Sequence, residues 1–135
     1  MINSRKLSDL TPEVAAKCQE FLDACTAQGL GVLITSTFRD IECQDALYAQ
    51  GRTTPGKCIT KARGGHSMHN YRVAFDWVPI DNHGAPIWND DALWDRIGAI
   101  GESVGLEWGG HFESFTDKPH FQMTGGKSIQ EFLSE

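Results

Sequence analysis

The sequence predicts an α+β fold: one small domain with a mostly antiparallel sheet flanked by helices. Three observations carry that prediction. Helical and strand-like patterns are mixed along the 135 residues without a regular strand–helix–strand repeat. The strand-like runs are short, and turn-forming residues separate them. Composition is ordinary for a globular chain, 40% hydrophobic and 22% charged, and the length suffices to bury a core without metal or disulfide staples.

The elements follow in order. Thr11-Pro12-Glu13 starts a helix with an N-cap hydroxyl, a proline at the first helical position and an acid in the first turn. Val14, Cys18, Phe21, Leu22 and Cys25 then recur at helical spacing, and Gly29 closes the helix. Residues 30–38, LGVLITSTF, are β-branched and apolar and read as a buried strand, with Arg39 and Asp40 just past its end. A second helix is expected over 41–50, stopping at Gly51. Residues 51–70 carry Gly51, Pro55, Gly56, Gly64 and Gly65 and read as loop. A strand is predicted over 72–78, then a turn through Asp81-Asn82-His83-Gly84. Leu93, Ile97, Ile100 and Val104 form a helical stripe, capped by Asn89 or Asp90 and closed by Gly105. Short strands near 106–108 and 119–123 and a last helical turn or two complete the chain.

Charge and composition exclude several classes. A net charge of −6, a pI near 5.3 and no Lys/Arg cluster argue against nucleic acid as a partner. No apolar run approaches the roughly 20 residues that a membrane span needs. The N-terminal MINSRKLSDLTPEV has no apolar h-region, so no signal peptide is read there, and the protein is expected to accumulate in the cytoplasm of the cell that makes it. The four cysteines, Cys18, Cys25, Cys43 and Cys58, form no C-x-x-C pair and are expected to be free thiols, the first two as small core residues. A monomer is expected.

The chemistry concentrates in two segments. In GGHSMHNYRVAFDWV, residues 64–78, strand alternation puts Arg72, Ala74, Asp76 and Val78 on one face and Val73, Phe75 and Trp77 on the other. The second set is fully apolar and is the expected core face. Asp76 then points away from the core beside the small Ala74, and an acid in such a strand is costly unless something pairs with it. His69, in the loop feeding the strand, can fold back over the same face. In WGGHFESFTDKPHF, residues 108–121, Asp117 and His120 stand three apart around a proline. Together the segments offer two imidazoles and a carboxylate for a metal, plus a spare carboxylate. Catalytic zinc needs three such ligands with an open fourth position, and the spare acid can take a proton from water. Without a metal, Asp117 reads only as a turn acid before Lys118-Pro119. His66 and His111 read as rim residues and His83 as a turn residue. Trp88 and Trp108 read as core packing or as residues flanking a cleft.

The stretch Ser67-x-His69-x-x-Arg72-x-Ala74-x-Asp76 resembles the SxHxxGxAxD signature of the D-Ala-D-Ala-peptidase-like zinc enzymes, relatives of the hedgehog fold, and Asp117-x-x-His120 resembles their second motif. TFRDIECQDALYAQGRT resembles the segment before the signature. GLEWGG and DKPHF resemble the closing segment of phage endolysins of the L-alanyl-D-glutamate peptidase type. The similarity spans about residues 30–122, and too little chain follows His120 for a separate wall-binding domain to be expected.

The resemblance implies a hedgehog/DD-peptidase-like fold and a zinc peptidase acting on the peptidoglycan stem peptide. It makes His69, Asp76 and His120 the zinc ligands and Asp117 the general base. It makes Arg39 a substrate-facing group suited to a carboxylate or a polarised carbonyl. Gln44 and Ser67 match positions expected to hydrogen-bond a ligand or the peptide. Arg72 stands where the signature has glycine, and by strand parity it is expected on the Asp76 face, within reach of substrate. The endolysin-like segments imply cleavage between L-Ala and D-Glu and a role in phage lysis. Removal of a terminal D-Ala is the alternative, and a zinc-holding binding module without turnover is a third reading, favoured by Arg72.

Overall fold

A computed structural model describes residues 1–113 and 115–135. Eight elements build it: α1 (Pro12–Ala27), β1 (Gly31–Ser36), α2 (Ile41–Ala49), β2 (Ala74–Ile80), α3 (Asp91–Ser103), β3 (Glu107–Trp108), β4 (His120–Gln122) and α4 (Ile129–Leu133). Tight helical turns at Leu7–Asp9, Met68–Tyr71 and Gly109–His111 connect them. The predicted α+β architecture holds. The four strands form one antiparallel sheet in the order β1-β2-β4-β3.

The caps read from sequence at Thr11 and Asp90 are observed, and the structure adds Asp40 as the cap of α2. Thr11 Oγ1 accepts from the Val14 N–H, Asp40 from Cys43 and Asp90 from Leu93, each satisfying a donor that a helix start leaves open. Phe21 of α1 packs edge-on against Trp77 and Phe121 of the sheet, with centroids 5.9 and 4.8 Å apart. Trp77, Phe75 and Phe121 are fully buried, as the apolar face of β2 requires. Helix α3 lies against the sheet through Gly98 and Gly101, where an added methyl group would overlap the Trp108 and Phe121 rings.

All four cysteines are free. Burial pushes the Cys18 thiol up to about 12 and the Cys25 thiol to about 11, so both behave as small apolar residues. Among the described residues no helix is long and apolar enough to cross a membrane.

One boundary differs in a way that matters. The strand expected over 72–78 begins at Ala74, because Arg72 adopts a left-handed backbone (φ 65°) that ends the Met68–Tyr71 turn. The alternation rule therefore does not extend back to Arg72.

Candidate metal centre

The sheet supplies two of the central side chains directly. Asp76 of β2 stands opposite His120 of β4 in the antiparallel ladder, so one register position sets a carboxylate beside an imidazole. Across β1, an irregularity between Ile34 and Ser36 brings Ser36 opposite the same Asp76. His69 arrives from the turn before β2 and is 2% exposed.

Hydrogen bonds fix which nitrogen each ring presents. His69 Nδ1 lies 2.8 Å from the Thr37 carbonyl oxygen, which can only accept, so Nδ1 carries the hydrogen and Nε2 offers its lone pair. That Nε2 is 3.1 Å from Asp76 Oδ1. On the other side His120 Nε2 donates to Gln122 Oε1 at 2.8 Å, and its Nδ1 faces the same Asp76 Oδ1 at 3.2 Å. The three candidate ligand atoms lie within 4.8 Å of one another. Ligands bound tetrahedrally at about 2.0–2.1 Å stand about 3.3 Å apart, so the two nitrogen–oxygen spacings fit a small divalent ion. Burial alone would raise the Asp76 carboxyl. In their protonated form the facing His69 and His120 rings outweigh it and hold the group well below the usual carboxylate range. Burial works against a charged His120 as well, but Asp76 offsets it and raises the imidazole.

A cleft of about 390 Å³ opens over this group, with Arg39, Ser67 and Asp117 in its wall and Ile59, Lys61 and Phe115 at its rim. Asp117 is half-buried, and its backbone N–H donates to the Gly109 carbonyl at 2.9 Å. An added methyl group at Gly109 would run into the Asp117 carbonyl, so this close approach requires glycine. Burial raises the Asp117 carboxyl, His120 counteracts, and the net shift is upward.

Arg39 is held on three sides. Its Nε donates to Ser36 Oγ at 3.1 Å, one terminal nitrogen to Gln44 Oε1 at 2.9 Å and the other to Asp76 Oδ2 at 2.8 Å. Gln44, expected to touch substrate, is instead fully buried behind Arg39. Its amide nitrogen donates to the Ala62 carbonyl at 2.7 Å and Thr60 Oγ1 at 3.2 Å, tying α2 to the cleft wall. Ser67 does line the cleft, but its hydroxyl is occupied locally and accepts from the His69 N–H at 3.2 Å. Asn70 completes that capping box and donates to the Arg39 carbonyl at 2.9 Å.

Arg72 lies away from the cleft, contrary to the parity expectation. Its guanidinium stacks 3.9 Å from the Phe38 ring centroid and donates to the Asp9 carbonyl at 2.9 Å. The left-handed backbone turns it there, a conformation that glycine adopts without strain. His66 and His83 are exposed and outside the cleft, and His111 pairs with Glu102 at 2.8 Å. Trp108 is buried and donates to the Lys118 carbonyl at 2.9 Å, while Trp88 is exposed. Sequence reasoning missed Thr37, Asn70 and Gln122. Of these, Gln122 carried a signal, since it stands two positions from His120 on a strand and so shares its face.

Comparison with known proteins agrees with this geometry. Residues 60–123 match a family model described as D-alanyl-D-alanine carboxypeptidase, of the M15 peptidases. The chain is 39% identical to the peptidoglycan L-alanyl-D-glutamate endopeptidase CwlK of Bacillus subtilis, over 86% of this chain and 74% of that one. The Serratia marcescens L-Ala D-Glu endopeptidase ChiX shares the fold at a TM-score of 0.65 and 20% identity, covering 87% of this chain and 83% of that one. The vancomycin-resistance D,D-pentapeptidase VanY, solved as an E175A mutant with Zn(II), aligns at a TM-score of 0.64 and 14% identity, covering 93% of this chain and 79% of that one.

Proposed function

The chain belongs to the M15 metallopeptidase family, and on that premise we propose that it hydrolyses the peptidoglycan stem peptide between L-Ala and D-Glu with zinc held by His69, Asp76 and His120. The observation that carries the metal assignment is the convergence of His69 Nε2, one Asp76 oxygen and His120 Nδ1 at the floor of a cleft. The choice of bond is supported by the 39% identity to CwlK, whose name specifies it.

Zinc bound there supplies Lewis acidity, which acidifies water and polarises a carbonyl. The chain supplies the rest. Thr37 and Gln122 hold the two imidazoles in the tautomers that aim a lone pair at the site. Asp117 takes the proton from the attacking water and returns it to the amine that leaves. Its raised pKa makes the return easier than it is for an ordinary aspartate. Arg39 spends three of its five N–H donors on Ser36, Gln44 and Asp76, and the remainder serve the carbonyl oxygen as negative charge develops. Ser36 and Gln44 keep that guanidinium in place without an entropic cost at the moment of reaction. In the phage-lysis form of this proposal, the protein collects in the cytoplasm of the producing cell and meets the wall on release.

The test is digestion of purified peptidoglycan by zinc-loaded protein, with Asp117→Ala alongside and new termini read by mass spectrometry. New N-terminal D-Glu, lost in the variant while zinc stays bound, is the expected result. Released D-Ala in its place would assign the carboxypeptidase reaction, and intact peptidoglycan would overturn the peptidase reading. The feature that favours a non-hydrolytic module, Arg72, lies outside the cleft.

A further inference from the structure

A row of three packed indoles leads from the core to the surface beside the cleft. Trp77 is fully buried, and Trp94 of α3 packs on it with ring centroids 4.7 Å apart. Trp88 lies over Trp94 at 5.6 Å with the planes 23° apart, yet remains 60% exposed. Trp94 Nε1 donates to the Ile87 carbonyl at 2.9 Å, which fixes the middle ring to the segment that carries Trp88. The outer indole therefore rests on a support that is itself buried and hydrogen-bonded.

A cavity of about 200 Å³ opens at this indole, lined by Trp88, Trp94, Asp91, Lys118 and Pro119. Pro119 also lines the metal-bearing cleft, so the two depressions meet across one residue. The Lys118 ammonium is steadied by Asp95 at 3.0 Å. A flat aromatic face with a carboxylate acceptor and an ammonium donor beside it suits a pyranose. The C–H face of the ring lies on the indole, and hydroxyl and acetamido groups meet the charges.

The substrate brings a sugar to this neighbourhood. In peptidoglycan the L-Ala nitrogen is acylated by the lactyl ether of the muramoyl unit. A bond between L-Ala and D-Glu is thus separated from the sugar ring by L-Ala and the lactyl group, together about two residue lengths or roughly 7 Å. We propose that Trp88, with Asp91 and Lys118, forms a subsite for an N-acetylated amino sugar of the glycan strand, joined to the cleft through Pro119. The subsite rests on the stem-peptide reading given above.

The experiment compares kcat/KM of the zinc-loaded protein on a disaccharide-linked stem peptide and on the same peptide carrying an N-acetyl cap on L-Ala. The wild type favours the sugar-linked substrate by about tenfold, and Trp88→Ala brings the ratio to about one. Trp88→Phe keeps a stacking face and retains part of the preference. A wild-type ratio near one, or an unchanged ratio in Trp88→Ala, overturns the subsite. If neither substrate is cut, the proposed bond is wrong, and the subsite is then decided by titrating chitotetraose while following the Trp88 indole N–H by NMR. A saturable shift there supports the subsite, and no shift at millimolar sugar overturns it.

Discussion

His120 gives the hydrogen on its Nε2 to Gln122 Oε1 at 2.8 Å, two positions along the same strand. That bond leaves Nδ1 as the nitrogen turned towards Asp76. A partner of this kind both orients a ligating imidazole and raises its basicity. Gln122→Ala is expected to weaken zinc binding by about 10- to 100-fold, measured by competition with a chromogenic chelator. Gln122→Glu keeps an acceptor and should retain the affinity. Equal affinity in the alanine variant would mean that the ring is held by packing alone.

Gln44 makes a second case of support from behind. Its side chain joins Arg39 to the Thr60–Ala62 wall from a fully buried position. Gln44→Ala strands a guanidinium donor and a carbonyl oxygen. The expected loss is about 1–3 kcal/mol in urea unfolding, together with a fall in kcat. An activity loss with no change in unfolding midpoint would instead place Gln44 in contact with substrate.

The proposed base Asp117 also bears on stability, with a definite sign. Its folded-state pKa is raised above the unfolded value. The stabilisation is fully present below the unfolded pKa and is lost as pH rises through the folded one. Once ionised, the half-buried carboxylate stands against the preference of its surroundings. Metal-free Asp117→Asn should therefore melt above the wild type at pH 7, and the gap should close as pH falls through the carboxylate range. Cleavage by the zinc-loaded variant should drop by about 10²- to 10⁴-fold. Melting curves across pH and a peptide assay check both halves. A variant that melts lower at pH 7 would contradict the assignment of a strained charge.

Arg72→Gly exchanges two opposed effects. Glycine removes a left-handed cost of about 1–2 kcal/mol. The stack on Phe38, worth about 0.5–1 kcal/mol at an exposed site, and the bond to the Asp9 carbonyl are lost with the side chain. Stability should change by less than about 1 kcal/mol and kcat/KM should stay within twofold. A tenfold rise in activity would show that the arginine reaches the cleft.

These residues mark how far the sequence carries. Asp76 was readable because alternation in an apolar strand leaves one acid with no other place to go. His69, Asp117 and His120 were readable from motif spacing, and the turn residues and caps from local backbone chemistry. Arg72 was misplaced because one left-handed residue separates it from the strand whose parity was applied to it. Gln44 was misplaced for another reason. Nothing in a helical pattern distinguishes a glutamine facing a ligand from one buried against an arginine, since both need partners that only the folded chain supplies. Trp88 and Trp108 share a residue type, but packing buries one and leaves the other in the open.

The three candidate ligands come from separate stretches of chain: the turn before β2, the middle of β2 and the start of β4. A metal ion bound there works as a removable cross-link, closing loops that the unfolded chain would otherwise leave free. Mass action sets its contribution, about 2.7 kcal/mol when free metal stands at 100 times its dissociation constant. The melting temperature of this protein is then itself a gauge of metal supply. A chelator wash should return the gauge to zero without altering a single covalent bond.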